Sequence, residues 1–447
     1  MDPFGREPGT FEEWIIEHPY SDNFETELIE RLSSVEEQDQ GCVAIITEWD
    51  IYPELEEEIR ELALRLWLDC YTVLNYRTSG GTPDQLRNFL RTLYYNEGIK
   101  GALLIELLPI AFYQARCFEG SSDEVYEEWP IDLFYMDLDG IWEDNFIFPR
   151  PNYQPQPGQD GIYDTHTDGN GDVEPEIFIG RLITGCNNQY EKIERLKNYF
   201  SKDFNYRYGI NTFPPQVLVY VDDDWASHAP VWAQNMAMLY PEPIIVNDPE
   251  ITRAIDYRER LNTSRAHVFV AVHSSSMSHT FYYNNHHSHE SYCAAEYVNQ
   301  NPPIYFYNFF ACSFCRYTEN NDYPSYGGGC AIFNNNGVGA IGSTKTGSMW
   351  EIDPFYLPLS QGKTMGDAFS DWFKDIAIGG FHETERDWYY GMTLLGDPFL
   401  KPKGHISLSS HFDKMTAYNN TSIPTIMENL GHYLRCYQIV KMFGILL

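Results

Sequence analysis

The chain has 447 residues, 65 of them acidic against 30 basic, for a formal charge of −35. Such a surface repels a phosphate backbone, so nucleic acid is not expected as a partner. The longest apolar stretches, such as 101–113, contain a charge and a proline and fall short of the ~20 apolar residues of a membrane span. The simplest reading of the charge is a solvated, aggregation-resistant surface; calcium binding and attraction of cationic peptides are the sharper ones.

The opening MDPFGREPGTFEEW has no basic region followed by an apolar one, so no secretory signal is visible. Residues 1–38 are acidic and weakly periodic, and read as an extension or edge helix without chemistry. From Gly41 an alternation begins: the apolar run CVAIIT, the amphipathic ELEEEIRELALRLWL, the β-rich YTVLNY, a second helix, then ALLIELLPIAFY. This is the βαβαβ pattern of a parallel sheet with helical crossovers. Thr82 is placed to cap the second helix, with Pro83 at its first position and Gln85 completing a capping box. Residues 119–172 are rich in Asp, Gly, Pro and aromatics, as in a long loop region beside a site. PEIFIGRLI then resumes a strand and YEKIERLKNYF a helix.

A second alternation starts at Gln216, with strands VLVYV, PIIV, HVFVAV, IYFYNFF and GAIGST and helices around VWAQNMAMLY and ITRAIDYRERL. After Lys403 the pattern stops. The division that follows is an extension (1–38), an N-terminal α/β unit (39–210), a second α/β unit bearing the chemistry (211–402) and an appendage (403–447). Nine cysteines, at 42, 70, 117, 186, 293, 312, 315, 330 and 436, are too sparse and irregular for a disulfide framework.

In open parallel sheets reactive groups gather beyond the carboxyl ends of the strands. VFVAV ends in His273 followed by Ser274, and IYFYNFF ends in Ala311 and Cys312, so an imidazole and a thiol can share one rim. A thiolate there is a nucleophile, the imidazole can protonate a leaving amine, and the N–H groups of Cys312 and Ser274 can hold an oxyanion. Cys312-Ser313-Phe314-Cys315 is also a CxxC, the motif of thiol oxidoreductases, though a lone one is weak evidence. His279, His286, His287 and His289 with Glu290 match no metal motif and read as a polar loop beside the site. Asp168, Asn170 and Asp172 alternate along a glycine-permitted loop, as calcium ligands do, although position 179 is Ile where an EF-hand has Glu. Asp137, Asp139, Glu143 and Asp144 form a second acidic group.

An apolar strand ending in His plus a small residue, followed by one ending in Ala-Cys, resembles the caspase-like cysteine peptidases. Within them the chain is similar to the gingipain type, through DLFYMDLDGIW (132–142), PEIFIGR (175–181), GAIGSTKTGSMW (339–350) and GMTLLGDPFLKP (391–402). The resemblance implies two side-by-side α/β subdomains with mainly parallel sheets flanked by helices. It also implies endopeptidase activity on proteins or peptides, calcium as a structural ion, and secretion. It makes His273 and Cys312 the catalytic pair and Trp350 a wall of the S1 pocket. The family usually has Gly where this chain has Ser274. No counterpart of its S1 acid stands at the expected place; Asp222, Asp223 and Asp224 lie earlier and are the substrate-binding candidates. The competing readings are a catalytically silent binding module of the same fold and a CxxC oxidoreductase.

Overall fold

The computed structural model describes residues 8–34, 39–118, 124–319 and 326–402, so the proposed appendage lies wholly outside the described residues. Its frame is an eleven-stranded sheet. In chain order the strands are β1 (Phe24–Leu32), β2 (Cys42–Glu48), β3 (Thr72–Gly80), β4 (Ile99–Ile105), β5 (Phe178–Leu182), β6 (Val217–Val221), β7 (Ile244–Val246), β8 (Arg265–Ala271), β9 (Ile304–Phe310), β10 (Gly339–Ser343) and β11 (Met392–Gly396). Across the sheet they lie in the order β1-β3-β2-β4-β5-β11-β10-β9-β8-β6-β7.

Every neighbouring pair is parallel except β1 with β3 and β10 with β11. The reversal at β10/β11 means that β2 to β5 with β11 run one way and β6 to β10 the other. The carboxyl ends of the two blocks therefore face opposite edges of the sheet. Both α/β alternations expected from the sequence are present, but their strands are joined into one sheet. The join is narrow, through the pair Arg181 and Leu395 of β5 and β11.

Local sequence accounts for the elements. In β2, Val43 and Ile45 enter the core on one face and Ala44 and Ile46 that on the other, as a strand covered on both sides requires. Helix Tyr52–Leu68 places Leu55, Ile59, Leu62 and Leu66 inward at helical spacing and its glutamates outward. At helix Pro83–Glu97, the Thr82 hydroxyl accepts the Gln85 N–H at 3.3 Å and the Gln85 side chain accepts the Thr82 N–H at 3.0 Å, the expected capping box. Helices 52–68, 189–207, 254–261 and 294–300 cover one face of the sheet; 83–97, 229–236, 353–360 and 365–376 cover the other.

Two segments depart from expectation. Part of the N-terminal extension is the edge strand β1, because FETELIERL pairs antiparallel with β3 rather than remaining outside the sheet. ALLIELLPIAFY is not one strand: β4 ends at Ile105, Glu106 turns at φ +66°, and Phe112–Phe118 starts a hairpin with Glu124–Pro130.

A buried carboxylate ties the blocks. Asp132 Oδ1 accepts from Arg181 Nε of β5 at 2.6 Å and from the Tyr317 hydroxyl, five residues past Cys312, at 3.0 Å; Oδ2 accepts from Thr393 of β11 at 2.6 Å. Removing one partner of such a pair strands the other charge in the core. Asp132→Ala should cost about 3–5 kcal/mol in urea unfolding; a loss below about 1 kcal/mol would show that Arg181 finds other compensation.

Candidate active site

Three adjacent parallel strands, β6, β8 and β9, end together. Val221 pairs with Ala271, and Ala271 with Phe310. The ladder continues just past the strands, with Asp222 N–H donating to Ala271 O at 2.8 Å and Val272 N–H to Phe310 O at 3.0 Å. The next residues along this rim are Asp223 and Asp224, His273, and Cys312.

Cys312 is partly exposed and sits at a sharp turn. Ser313 takes φ +57°, a left-handed conformation uncommon for a side-chain-bearing residue. Ser313 N–H donates to Lys345 O at 2.8 Å and Cys315 N–H to Ser343 O at 3.0 Å, so the end of β10 anchors the turn. The second thiol has a different fate. Cys315 is fully buried, and burial pushes its thiol far up. Its sulfur lies 2.6 Å and 2.8 Å from where Cβ atoms on Gly342 and Gly328 would stand, so both neighbours need to be glycine.

His273 begins an antiparallel meander of His273–Ser275, Ser278–Tyr283 and Ser288–Cys293. Its Nε2 bonds Asp224 Oδ2 at 2.6 Å. The other Asp224 oxygen lies 3.1 Å from His286 Nε2, which also reaches Asp223 Oδ2 at 2.8 Å. A carboxylate on Nε2 fixes the neutral ring with its proton there and leaves Nδ1 free to exchange protons. Trp225 packs 4.6 Å from the imidazole, and Tyr282 meets it edge-on at 5.4 Å.

The three aspartates thus separate. Asp222 is fully buried, accepts the Tyr282 N–H at 3.0 Å and is raised to about 7 by burial, then by Asp223. It props the meander and offers no carboxylate to a substrate. Asp223 and Asp224 face the two histidines, and with His286 they form a cluster whose N and O atoms could hold a cation. The expected polar histidine loop separates in the same way: His286 joins the aspartates, Glu290 pairs with Arg253, and His279 is buried.

Ser274 is buried, with its hydroxyl 2.7 Å from His279 Nδ1. Trp350 is partly buried within an aromatic shelf, its ring centroid 5.7 Å from Trp232, 5.5 Å from Phe310, 5.9 Å from Trp388 and 4.8 Å from His228. Phe310, two residues before Cys312, also touches Trp225 at 5.5 Å, so the shelf runs beside the cysteine-bearing strand to His273. The sequence reading missed Asp224 as a partner of His273, as well as Trp225 and Trp388, and placed His286 beside the site without its aspartate partners. Its only signal for the first was an acidic run directly after a rim strand.

The acidic loop at 168–172 packs beside a second acidic group. Asp168 accepts the Gly171 N–H through its backbone, and Asp172 Oδ1 caps the Glu174 N–H at 2.7 Å. Asp172 N–H donates to Asp139 Oδ1 at 3.1 Å, and oxygens of Asp139, Asp137 and Glu176 converge beside the loop. Asp137 is buried and committed to the Gly140 N–H, Trp142 and His166. Burial and the neighbouring aspartates raise Glu176 to about 7. An all-oxygen set of this charge fits a hard cation such as calcium.

A raised folded-state pKa means that the fold holds the Glu176 proton more tightly than the unfolded chain does. Stability from this group is therefore present below the unfolded value of 4.5 and is lost as pH rises toward about 7. Glu176→Gln should raise the melting temperature at pH 8 without divalent cations, on the order of 1–3 °C, and leave it nearly unchanged at pH 4.5. Equal shifts at both pH values would remove the titration argument.

The family model for peptidase family C25 matches residues 30–403. No curated protein matches the chain in sequence. Among solved structures, the crystal structure of the Arg specific cysteine proteinase gingipain R is similar at a TM-score of 0.54 and 16% identity, over 83% of this chain and 80% of that one. The complex of the pro- and mature domains of Porphyromonas gingivalis RgpB is similar at 0.54 and 14%, over 81% and 79%. At these identities the likeness concerns the fold. No helix among the described residues is long and apolar enough to cross a membrane.

Proposed function

The chain belongs to peptidase family C25, and from that premise we propose that it is a cysteine endopeptidase whose nucleophile is Cys312 and whose general acid and base is His273. The observation that carries the reading is the rim itself. Adjacent strands, held in register to their last residues, deliver an imidazole oriented by Asp224 and a partly exposed thiol on a left-handed turn.

The Cys312 thiolate attacks the carbonyl carbon of a peptide bond, and the carbonyl electron pair moves to oxygen, where the N–H groups of Cys312 and Ser274 stabilise it. As the tetrahedral intermediate collapses, the C–N bond breaks and His273, protonated at Nδ1, gives that proton to the leaving amine. The neutral ring then takes a proton from water, which attacks the thioester and releases the acid and the thiolate. Asp224 holds the ring in orientation throughout and carries its share of the imidazolium charge. This is a positioning role, in place of the substrate contact expected for the aspartates. The Trp350 shelf supplies the wall against which a substrate side chain lies.

The burial of Cys315 argues against a dithiol oxidoreductase, because its sulfur cannot be reached by an exchanging thiol. Calcium, where it acts, would be held by Asp139 and Glu176 with Asp137 and would serve the fold rather than the reaction.

The test is a fluorogenic peptide panel varied at P1. Wild type should turn over, Cys312→Ala should show none, and Cys315→Ala should keep kcat within about threefold if it folds. Asp224→Asn should lower kcat by about 10²-fold or more through loss of ring orientation. Trp350→Ala should raise KM more than it lowers kcat. Turnover surviving in Cys312→Ala would sink the assignment, and no turnover on any P1 residue by a folded, calcium-supplied wild type would favour a silent binding module.

A further inference from the structure

Ser274 stands where a side chain is unexpected, directly after the imidazole and at a proposed oxyanion donor. Its side chain turns inward. The hydroxyl bonds His279 Nδ1 at 2.7 Å, and Ser274 and His279 are register partners across the hairpin of His273–Ser275 with Ser278–Tyr283. The other ring nitrogen, Nε2, bonds the Tyr297 hydroxyl at 3.0 Å, and Tyr297 bonds the Tyr257 hydroxyl at 2.8 Å. Ser274, His279, Tyr257 and Tyr297 are all buried, so this chain starts beside His273 and ends between helices 254–261 and 294–300.

The same imidazole has a second contact. Its face stacks on Phe314 at 3.9 Å and 28°, and Phe314 follows the left-handed Ser313 at the turn that presents Cys312. One ring thus touches both backbone segments that the proposed mechanism uses: Ser274 by a hydrogen bond and the Cys312 turn by stacking. Burial pushes His279 down to about 3, so it stays neutral at any working pH and serves as a fixed hydrogen-bonding plate rather than a proton carrier.

We propose that His279 is a positioning residue of the peptidase site, tethering Ser274 by its hydroxyl and bracing Phe314 with its ring so that the N–H groups of Ser274 and Cys312 converge on one oxyanion. The inference rests on the peptidase reading. It also explains how a side chain is accommodated after His273: the serine is drawn out of the substrate's path by a buried hydrogen-bonding partner, so the backbone position keeps its donor.

The test separates oxyanion stabilisation from thiol reactivity, because iodoacetamide alkylation of Cys312 forms no oxyanion. In His279→Phe, which keeps a stacking ring and loses the tether, kcat should fall about 10- to 100-fold, with KM and the alkylation rate within about twofold of wild type. Affinity for a peptide aldehyde, whose adduct places an oxyanion in the same hole, should weaken in step with kcat. The double variant S274G/H279F should recover part of the loss, since no stranded hydroxyl remains. His279→Gln, whose amide can donate or accept, should stay within about fivefold of wild type, and it carries the comparison if the phenylalanine variant does not fold.

The proposal is overturned if a folded His279→Phe keeps wild-type kcat, if alkylation falls with kcat, if the double variant is no better than the single, or if His279→Gln loses as much kcat as His279→Phe. A wild type that neither turns over peptides nor alkylates at Cys312 overturns the peptidase reading itself. An active wild type with any of the former results overturns the His279 role alone.

Discussion

The arrangement depends first on a main-chain constraint, the parallel ladder between β8 and β9. Its last bond, Val272 N–H to Phe310 O, leaves no residue between Val272 and His273 and only Ala311 between Phe310 and Cys312. Two side chains 39 positions apart are thereby brought to one rim by backbone geometry alone. The remaining features refine that placement. Asp224 turns the imidazole, the end of β10 anchors the cysteine turn, and the meander after His273 supplies the wall on which Ser274 and His279 face each other.

The interior supports the rim from both faces of the sheet. Aromatic rings dominate near the site, from Trp225 and Phe310 on one side to Phe314 and Tyr297 on the other. Rigid rings of this size hold neighbouring backbone in place at little conformational cost. Where the packing admits no side chain at all, as between Gly342, Gly328 and the Cys315 sulfur, the turn is fixed by exclusion. The two thiols of the CxxC thus have opposite roles, Cys312 at the rim and Cys315 as a buried filler.

Much of this was legible in the sequence because it rests on local or periodic signals. The all-apolar runs of β8 and β9 announce strands covered on both faces, and the first polar residues after them are the candidates for chemistry. Thr82 and Gln85 mark a helix start by three-residue spacing. What could not be read depends on contacts between distant segments. Strand order and the reversal at β10/β11 are set by which edges pair, and an apolar run looks the same in either direction. Asp222, Asp223 and Asp224 are chemically identical in a string and differ only once one is buried against Tyr282 N–H and another meets His273. His279 reads as one histidine among several in a polar stretch, until its alternation across the hairpin places it in the core. The acidic loop at 168–172 shows the same limit, since its packing beside Asp139, more than thirty residues earlier, is not written in its own spacing.

The position of β11 bears on how the molecule is made. Met392–Gly396 closes the middle of the sheet, between β5 and β10, yet it leaves the ribosome after every other strand of that sheet among the described residues. Until it emerges, two interior strands carry open edges, and the nascent chain consists of two incomplete sheets running in opposite senses. Open edges of this kind template pairing with other chains. At the ~5–20 residues per second of synthesis, that exposed interval lasts seconds. The rim strands β8 and β9 are already in hand by then, but the turn at Cys312 hangs from β10, whose other neighbour is β11. Maturation of the thiol's surroundings is thus coupled to a strand made well after Cys312 itself, which withholds the complete rim until the chain is long enough to enclose it.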